Sequence, residues 1–273
     1  MDNLIKDLRI NLEKYNFATL KDKLAGFKIE NENVPLFQEL VEVLGSDPRK
    51  NVISLSEKLN RQLQKFLSEK DRVTSMYLFD KSFGDFSYVA GVDEVGRGPL
   101  AGPIVAAAVV LDLNSLNDII LEINDSKKLS EMKREELAKI IKEKAVDYSL
   151  SLCDNREIDE RGIAVCNNEI FIKAINGLTK VTPELVLSDG YPVRNISILN
   201  KFVIKGDTKS ASIACASIIA KVYRDNIMKE YAKKYPEYDF ENNVGYGTGK
   251  HVNAIKNVGV TEIHRLSFLK NIL

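Results

Sequence analysis

Apolar residues in the first 84 positions fall at helical spacing, whereas from about residue 86 onward they gather into short runs divided by charged stretches and glycines. Val52, Leu59, Phe66 and Val73 recur every seven residues, with Leu63 and Tyr77 near the intermediate positions and Lys70 breaking the seam. Pro48, behind Ser46 and Asp47, predicts a first-turn proline that opens a long helix carrying this seam. The seam suits packing inside a small helical bundle; a contact with a partner helix or nucleic acid is the alternative. Gly84 marks a boundary, after which the pattern turns strand-like.

Phe86 to Val92 predicts a strand and Ile104 to Leu111 a second, almost continuously apolar one, which implies neighbours on both faces. Ser130 predicts the N-cap of a helix reaching about Lys144, with Glu131 in its first turn. A strand over Tyr148 to Cys153, a helix over Val165 to Leu178 and short strands at Leu185 to Ser188 and Ser197 to Ile204 follow. A helix from Ser210 should run to Tyr235 and stop at Pro236; a loop, Gly245-Tyr246-Gly247-Thr248-Gly249, then leads to a short helix from His251 that ends before Gly259. This alternation is that of an α/β domain with flanking helices.

Composition narrows the picture mainly by exclusion. The 273 residues are 44% hydrophobic and 29% charged, which excludes a disordered or fibrous chain. Lys plus Arg and Asp plus Glu balance at 39 each, so any phosphate-binding surface is a local patch. Cys153, Cys166 and Cys215 show no CxxC spacing and only His251 and His264 are available beside them, which points to buried reduced thiols rather than zinc. The longest apolar run is far too short for a bilayer and the N-terminus has no signal-type core, so a cytoplasmic protein with no membrane contact is expected.

The candidate chemistry is acidic. Asp93 and Glu94 close an apolar strand just before Val95-Gly96-Arg97-Gly98-Pro99. Neighbouring strand residues face opposite ways, so both reach one site only if the strand ends or bends there. Asp189 ends another apolar run, and Asp207 precedes the helix that begins near Ser210. Each alone reads as a solvated charge, a turn or a cap. Together they form an oxygen-rich set whose mutual repulsion a hard divalent cation relieves. Asp225 lies 18 residues after Asp207, about 27 Å along a continuous helix, and reads as a structural residue.

Gly91-Val92-Asp93-Glu94-Val95-Gly96-Arg97-Gly98-Pro99-Leu100-Ala101-Gly102-Pro103 resembles the opening signature of bacterial ribonuclease HII. Asp125-Ser126-Lys127-Lys128-Leu129-Ser130, Ser188-Asp189-Gly190, Lys205 to Asp225 and the Gly245 to Thr248 loop match the same family in order, over about residues 86 to 268. The resemblance implies a ribonuclease H-like mixed sheet flanked by helices, with a catalytic domain at 85–235 and a small helical C-terminal part at 236–273; the helical extension at 1–84, read from the apolar spacing, stands outside the family's minimal plan. It implies a metal-dependent endonuclease that hydrolyses the RNA strand of RNA–DNA hybrids and cuts 5′ of ribonucleotides embedded in duplex DNA. The ends left are a 5′-phosphate and a 3′-hydroxyl, as ribonucleotide removal and primer degradation need.

Carried over residue by residue, the resemblance makes Asp93, Glu94, Asp189 and Asp207 the catalytic quartet and the ligands of two Mg²⁺ or Mn²⁺ ions. It makes Gly96, Arg97 and Gly98 the segment that reads the ribose 2′-hydroxyl, a group that separates RNA from DNA. Tyr246 becomes the residue that packs on the deoxyribose at the junction, and Lys127, Lys128, Lys209 and Ser210 become phosphate contacts. The expected partners are RNA–DNA hybrids and ribonucleotide-containing DNA, bound by a monomer. Ribonuclease HIII shares the carboxylates and is the nearest rival, disfavoured by Gly96-Arg97-Gly98-Pro99 and a helical extension; a non-catalytic hybrid-binding protein is disfavoured by the complete acidic set.

Overall fold

The computed structural model describes residues 1–114, 116 and 118–272, which separate into two compact units, Met1–Arg72 and Val73–Leu273. The division falls within one continuous helix.

The first unit is helical: α1 (Asp2–Asn11), α2 (Phe17–Leu24), α3 (Val34–Gly45) and the greater part of α4 (Lys50–Lys81). Ile5, Leu8, Leu20, Phe37, Leu40, Leu44, Val52, Leu59 and Leu63 form its core. The seam read from the sequence therefore packs in a bundle through Leu63, while Val73 and Tyr77 join the core of the second unit. Pro48 stands before the helix rather than in its first turn, because the Arg49 carbonyl accepts the first helical bonds from Val52 and Ile53. Asp47 instead accepts the Arg49 N–H at 2.8 Å and its guanidinium at 2.6 Å, and that guanidinium also donates to the Leu12 and Tyr15 carbonyls.

The second unit is built on a five-stranded mixed sheet in the order β3-β2-β1-β4-β5. Its strands are β1 (Val89–Val95), β2 (Ile104–Val110), β3 (Asp147–Cys153), β4 (Leu185–Asp189) and β5 (Leu199–Val203). β1 pairs antiparallel with β2 and parallel with β4, so the sheet changes sense around its central strand. Helices α5 (Glu131–Lys144), α6 (Asn155–Arg161), α7 (Ile163–Asn176) and α8 (Ala211–Lys234) flank it, and α9 (Phe240–Asn243) and α10 (Gly249–Val258) complete the chain. No helix among the described residues is long and apolar enough to cross a membrane.

Two apolar layers result from the pleat. Val89, Val105, Ala107, Leu185 and Leu187 pack under α8, and Ala90, Val92, Ala106 and Val186 pack against α7. Gly91 lets α8 lie directly on the sheet, since a Cβ there would stand 2.2 Å from the Ser212 carbonyl carbon. All three cysteines are buried and free. β1 differs from expectation at both ends: it starts at Val89 and continues through Asp93 and Glu94 to Val95, held by pairing with Ala107, Ala106 and Val105. α6 was not legible as a helix by periodicity, yet its capping box, Asp154 with Glu157, is a local signal for it.

Asp80, in the last turn of α4, is wholly buried and accepts the Ser212 N–H at 2.8 Å near the start of α8. Burial raises its carboxyl from 3.8 to about 6. The folded state therefore holds a proton there that the unfolded chain releases between about pH 4 and 6, and stability falls as pH rises through that window. Asp80→Asn should keep the acceptor and remove this dependence. Its melting-temperature advantage over wild type should be greater at pH 7.5 than at pH 4.5, by the equivalent of about 1–3 kcal/mol; an equal offset at both pH values would refute the charge penalty.

Candidate active site

The pleat sends Asp93 toward α8 and Glu94 toward the α7 face, yet both line one cavity of about 350 Å³ at the end of the central strands. Asp189, at the end of β4, and Asp207, in the turn Gly206–Thr208 before α8, line the same cavity. Asp189 Oδ1 accepts the Gly206 N–H at 2.6 Å, which ties the end of β4 to the turn carrying Asp207. Three separate chain segments thus bring four carboxylates to one opening. The strand does not end before Asp93, as expected from sequence; the cavity sits where the sheet itself ends, so side chains from both faces reach it.

Electrostatics in the cavity are frustrated. Burial first, then the charges of Glu94 and Asp189, push the Asp93 carboxyl well above the usual carboxylate range. Glu94 is raised by burial, against the opposing effect of the Tyr191 hydroxyl and the Arg97 guanidinium. Asp207 is raised by burial and by Asp125 and Asp189, with Lys127 and Lys128 pulling the other way. Among the described residues, no three His, Cys, Asp or Glu side chains close into a single ligand group. The donor set is four carboxylates spread around one open volume, which suits a cation that keeps water or substrate oxygens in its shell.

Other cavity residues were not singled out by the sequence. Ser126 and Ser217 face each other at 3.0 Å and both line the cavity, where the Ser217 hydroxyl works against the rise of the Asp93 carboxyl. Lys221, one turn further along α8, also lines the cavity and donates to Asp225 at 2.6 Å. Asp225 is thus a structural partner, as expected, but of a lysine that faces the carboxylates. Tyr191 donates to Glu94 Oε1 at 2.7 Å, and Arg97 lies over the Tyr191 ring at 5.0 Å with its guanidinium bonded to the same hydroxyl. Position next to Asp189-Gly190 was the only sequence signal for Tyr191.

The segment Gly96 to Pro103 is held by two buried arginines. Arg224 donates to the Pro103, Ala101 and Val244 carbonyls, and Arg265 to the Gly102, Arg97 and Gly96 carbonyls at 2.9, 3.1 and 2.7 Å. Neither has a carboxylate partner among the described residues, and burial lowers Arg224 to about 10 and Arg265 to about 9. Gly96, at φ +95°, has room for no side chain: a Cβ would stand 2.3 Å from Arg224 Nε.

Tyr246 lines the cavity and lies beside Gly98, 3.7 Å from where a Cβ would stand there. A histidine relay fixes its backbone. The Thr261 N–H donates to His264 Nδ1, so His264 carries its proton on Nε2 and donates to His251 Nε2 at 3.0 Å; His251 Nδ1–H then donates to the Tyr246 carbonyl at 2.9 Å. Burial lowers both imidazoles, His264 to about 4, and so keeps the relay neutral. Of the expected phosphate contacts, Lys127 lines the cavity, Lys128 and Lys209 are exposed, and Ser210 is buried with its hydroxyl committed to the Ile213 N–H as the cap of α8.

A mixed sheet flanked by helices, with carboxylates gathered where its central strands end, is the architecture of the ribonuclease H class. The family model described as Ribonuclease HII matches residues 90–271, and that of the Ribonuclease HII N-terminal domain matches residues 18–84. The chain belongs to the ribonuclease HII family. It is 66% identical to the ribonuclease HII of Clostridium perfringens strain 13 over the whole of both chains. It is 57% identical to that of Clostridium beijerinckii, over 96% of this chain and 98% of the relative. The crystal structure of the ribonuclease H2 from Pyrococcus horikoshii OT3 superposes with a TM-score of 0.58 at 30% identity, covering 68% of this chain and 96% of that one. Bst-RNase HIII, in a crystal structure in complex with Mn²⁺, shares the fold at a TM-score of 0.51 and 20% identity over 70% of each chain. The chain is a ribonuclease H enzyme, and its family acts on RNA–DNA hybrids.

Proposed function

We propose that the chain is a divalent-metal-dependent endonuclease that cuts 5′ of ribonucleotides, whether within a hybrid or singly embedded in duplex DNA, leaving 5′-phosphate and 3′-hydroxyl ends. The observation that carries this reading is the crowding of Asp93, Glu94, Asp189 and Asp207 around one open cavity with too little positive charge to balance them. The four would hold two Mg²⁺ or Mn²⁺ ions. When bound, such ions supply the positive charge that a phosphodiester needs as charge builds on its oxygens, and they make water a better nucleophile at neutral pH.

The protein's own groups divide the remaining work. Tyr191 and Arg97 hold Glu94 in one orientation from outside the cavity. Ser217, itself met by Ser126, places a hydroxyl in the cavity that favours the charged form of Asp93. Lys127, Lys128 and Lys209 take phosphates on either side of the cut, by charge rather than by base identity. The arginine-clamped backbone of Gly96 to Gly98 approaches the ribose without side-chain obstruction, and Tyr246 across from Gly98 meets the following sugar.

The test is cleavage of a DNA duplex containing a single ribonucleotide, with Mg²⁺ or Mn²⁺ and with chelator, the cut mapped to the nucleotide. Metal-dependent cutting on the 5′ side is expected, and a protein that degrades only long hybrids would overturn the embedded-ribonucleotide activity. Tyr246→Ala should lose about tenfold or more in rate on that duplex, because a misplaced sugar misaligns the phosphate. An unchanged rate and position of cutting would remove Tyr246 from recognition.

A further inference from the structure

Next to the carboxylate cavity, and outside it, lies a second cleft of about 430 Å³ lined by Arg97, Val165, Asn167, Phe171, Tyr191 and Arg194, among others. The two are separated by a wall only one hydrogen-bonded pair thick: Glu94 lines the first, Tyr191 lines the second, and the two bond at 2.7 Å. The residues lining the second cleft include two guanidinium groups and no carboxylate.

Asn167, which lines the cleft, is 2% exposed and its Oδ1 has no hydrogen-bond partner. A buried acceptor left without a donor is unfavourable by about 1–3 kcal/mol, so an occupant that supplies an O–H or N–H would relieve it. Arg194 has no ion-pair partner among the described residues, and the Asn168 side chain pins its backbone at both ends, accepting the Arg194 N–H at 2.8 Å and donating to the Arg194 carbonyl at 3.1 Å. The rim arginine is therefore anchored, while its charge is unspent. Exposed Val165, 54% accessible, adds an apolar surface for a sugar or base to cover.

We propose that this cleft is a subsite for a nucleotide of the cleaved strand flanking the scissile phosphate, its phosphate held by Arg97 and Arg194 and its sugar or base donating to Asn167 Oδ1. The inference rests on the proposed nuclease reading and deepens it. Anionic oxygens and a hydrogen-bond donor on one small ligand describe a nucleotide, and the wall shared with Glu94 places it within a nucleotide or two of the cut.

The experiment compares wild type with Arg194→Ala and Arg194→Glu on a long hybrid and on hybrids trimmed from each side of a fixed cut site. For Arg194→Ala on the long substrate, kcat/KM should fall about tenfold, with the loss carried by KM, and the slope of log(kcat/KM) against log[salt] should flatten by about one unit. Arg194→Glu should lose more. Trimming one side, and not the other, should abolish the difference between variant and wild type. A walk of single 2′-deoxy substitutions outside the junction then names the donor: one sensitive position assigns it to the ribose, and a flat profile assigns it to the base. Unchanged KM and salt slope in both variants, or a loss that survives trimming on both sides, would overturn the subsite. Failure of the nuclease reading looks different, since wild type itself would then not cleave the long hybrid with either metal.

Discussion

Asp93→Asn should yield a folded protein whose cleavage of an RNA–DNA hybrid is slower by about 10³-fold or more, the largest loss expected from any single substitution. Asparagine keeps the size and one acceptor for the Glu94 N–H, which now lies 2.8 Å from Asp93 Oδ1, so packing beneath α8 survives. What disappears is the charge that burial, Glu94 and Asp189 already press against. The same substitution should therefore stabilise the protein in chelator, raising its melting temperature by about 2 °C or more. Wild type should gain stability on adding Mn²⁺ or Mg²⁺, and the variant should gain far less. Wild-type-like turnover by Asp93→Asn would end the assignment of this cavity as the active site.

Arg265→Met should be nearly as damaging, although Arg265 lies far along the chain from the acidic residues. Its guanidinium is fully buried, lies 5.3 Å from the Phe268 ring centre and satisfies the carbonyls of Gly96, Arg97 and Gly102. Methionine fills the volume and leaves three carbonyls without their donor, a loss of about 3 kcal/mol or more in stability. The freed segment carries Gly96 to Gly98, so cleavage should fall by about 10²-fold as the backbone approach to the ribose is lost. Arg265→Lys should not restore it, because one ammonium does not reproduce the planar fork that reaches three acceptors. Melting curves and hybrid cleavage of the two variants check this; a Met variant with intact activity would show that the clamp does not position the site.

Legibility of the fold followed how local each signal was. The cap at Ser130 is where the sequence placed it, and α8 starts where expected although its cap proves to be Ser210, since a hydroxyl accepting an N–H three residues on needs nothing distant. Pro236 ends α8 for the same reason. The C-terminal end of β1 was misread because Asp and Glu disfavour strands locally, while pairing with the alanines of β2 overrides that preference. Asp47 and Pro48 showed the reverse case, in which a recognisable helix-start pattern yielded to an arginine reaching back to Leu12 and Tyr15.

The same division runs through the candidate site. The apolar runs that precede them marked Asp93, Glu94, Asp189 and Asp207 as candidates, and it was the resemblance to ribonuclease HII, carried by the ordered motifs around them, that joined the four into one site. Only the folded chain could add Tyr191 behind Glu94, Lys221 beside the cavity, the two arginines that grip Gly96 to Pro103 and the paired histidines behind Tyr246. A carboxylate at a strand end announces itself through the apolar pattern before it. A buried side chain whose partners are backbone carbonyls more than a hundred residues away leaves no periodicity, because what selects it is the meeting of distant segments and not its neighbours in the chain.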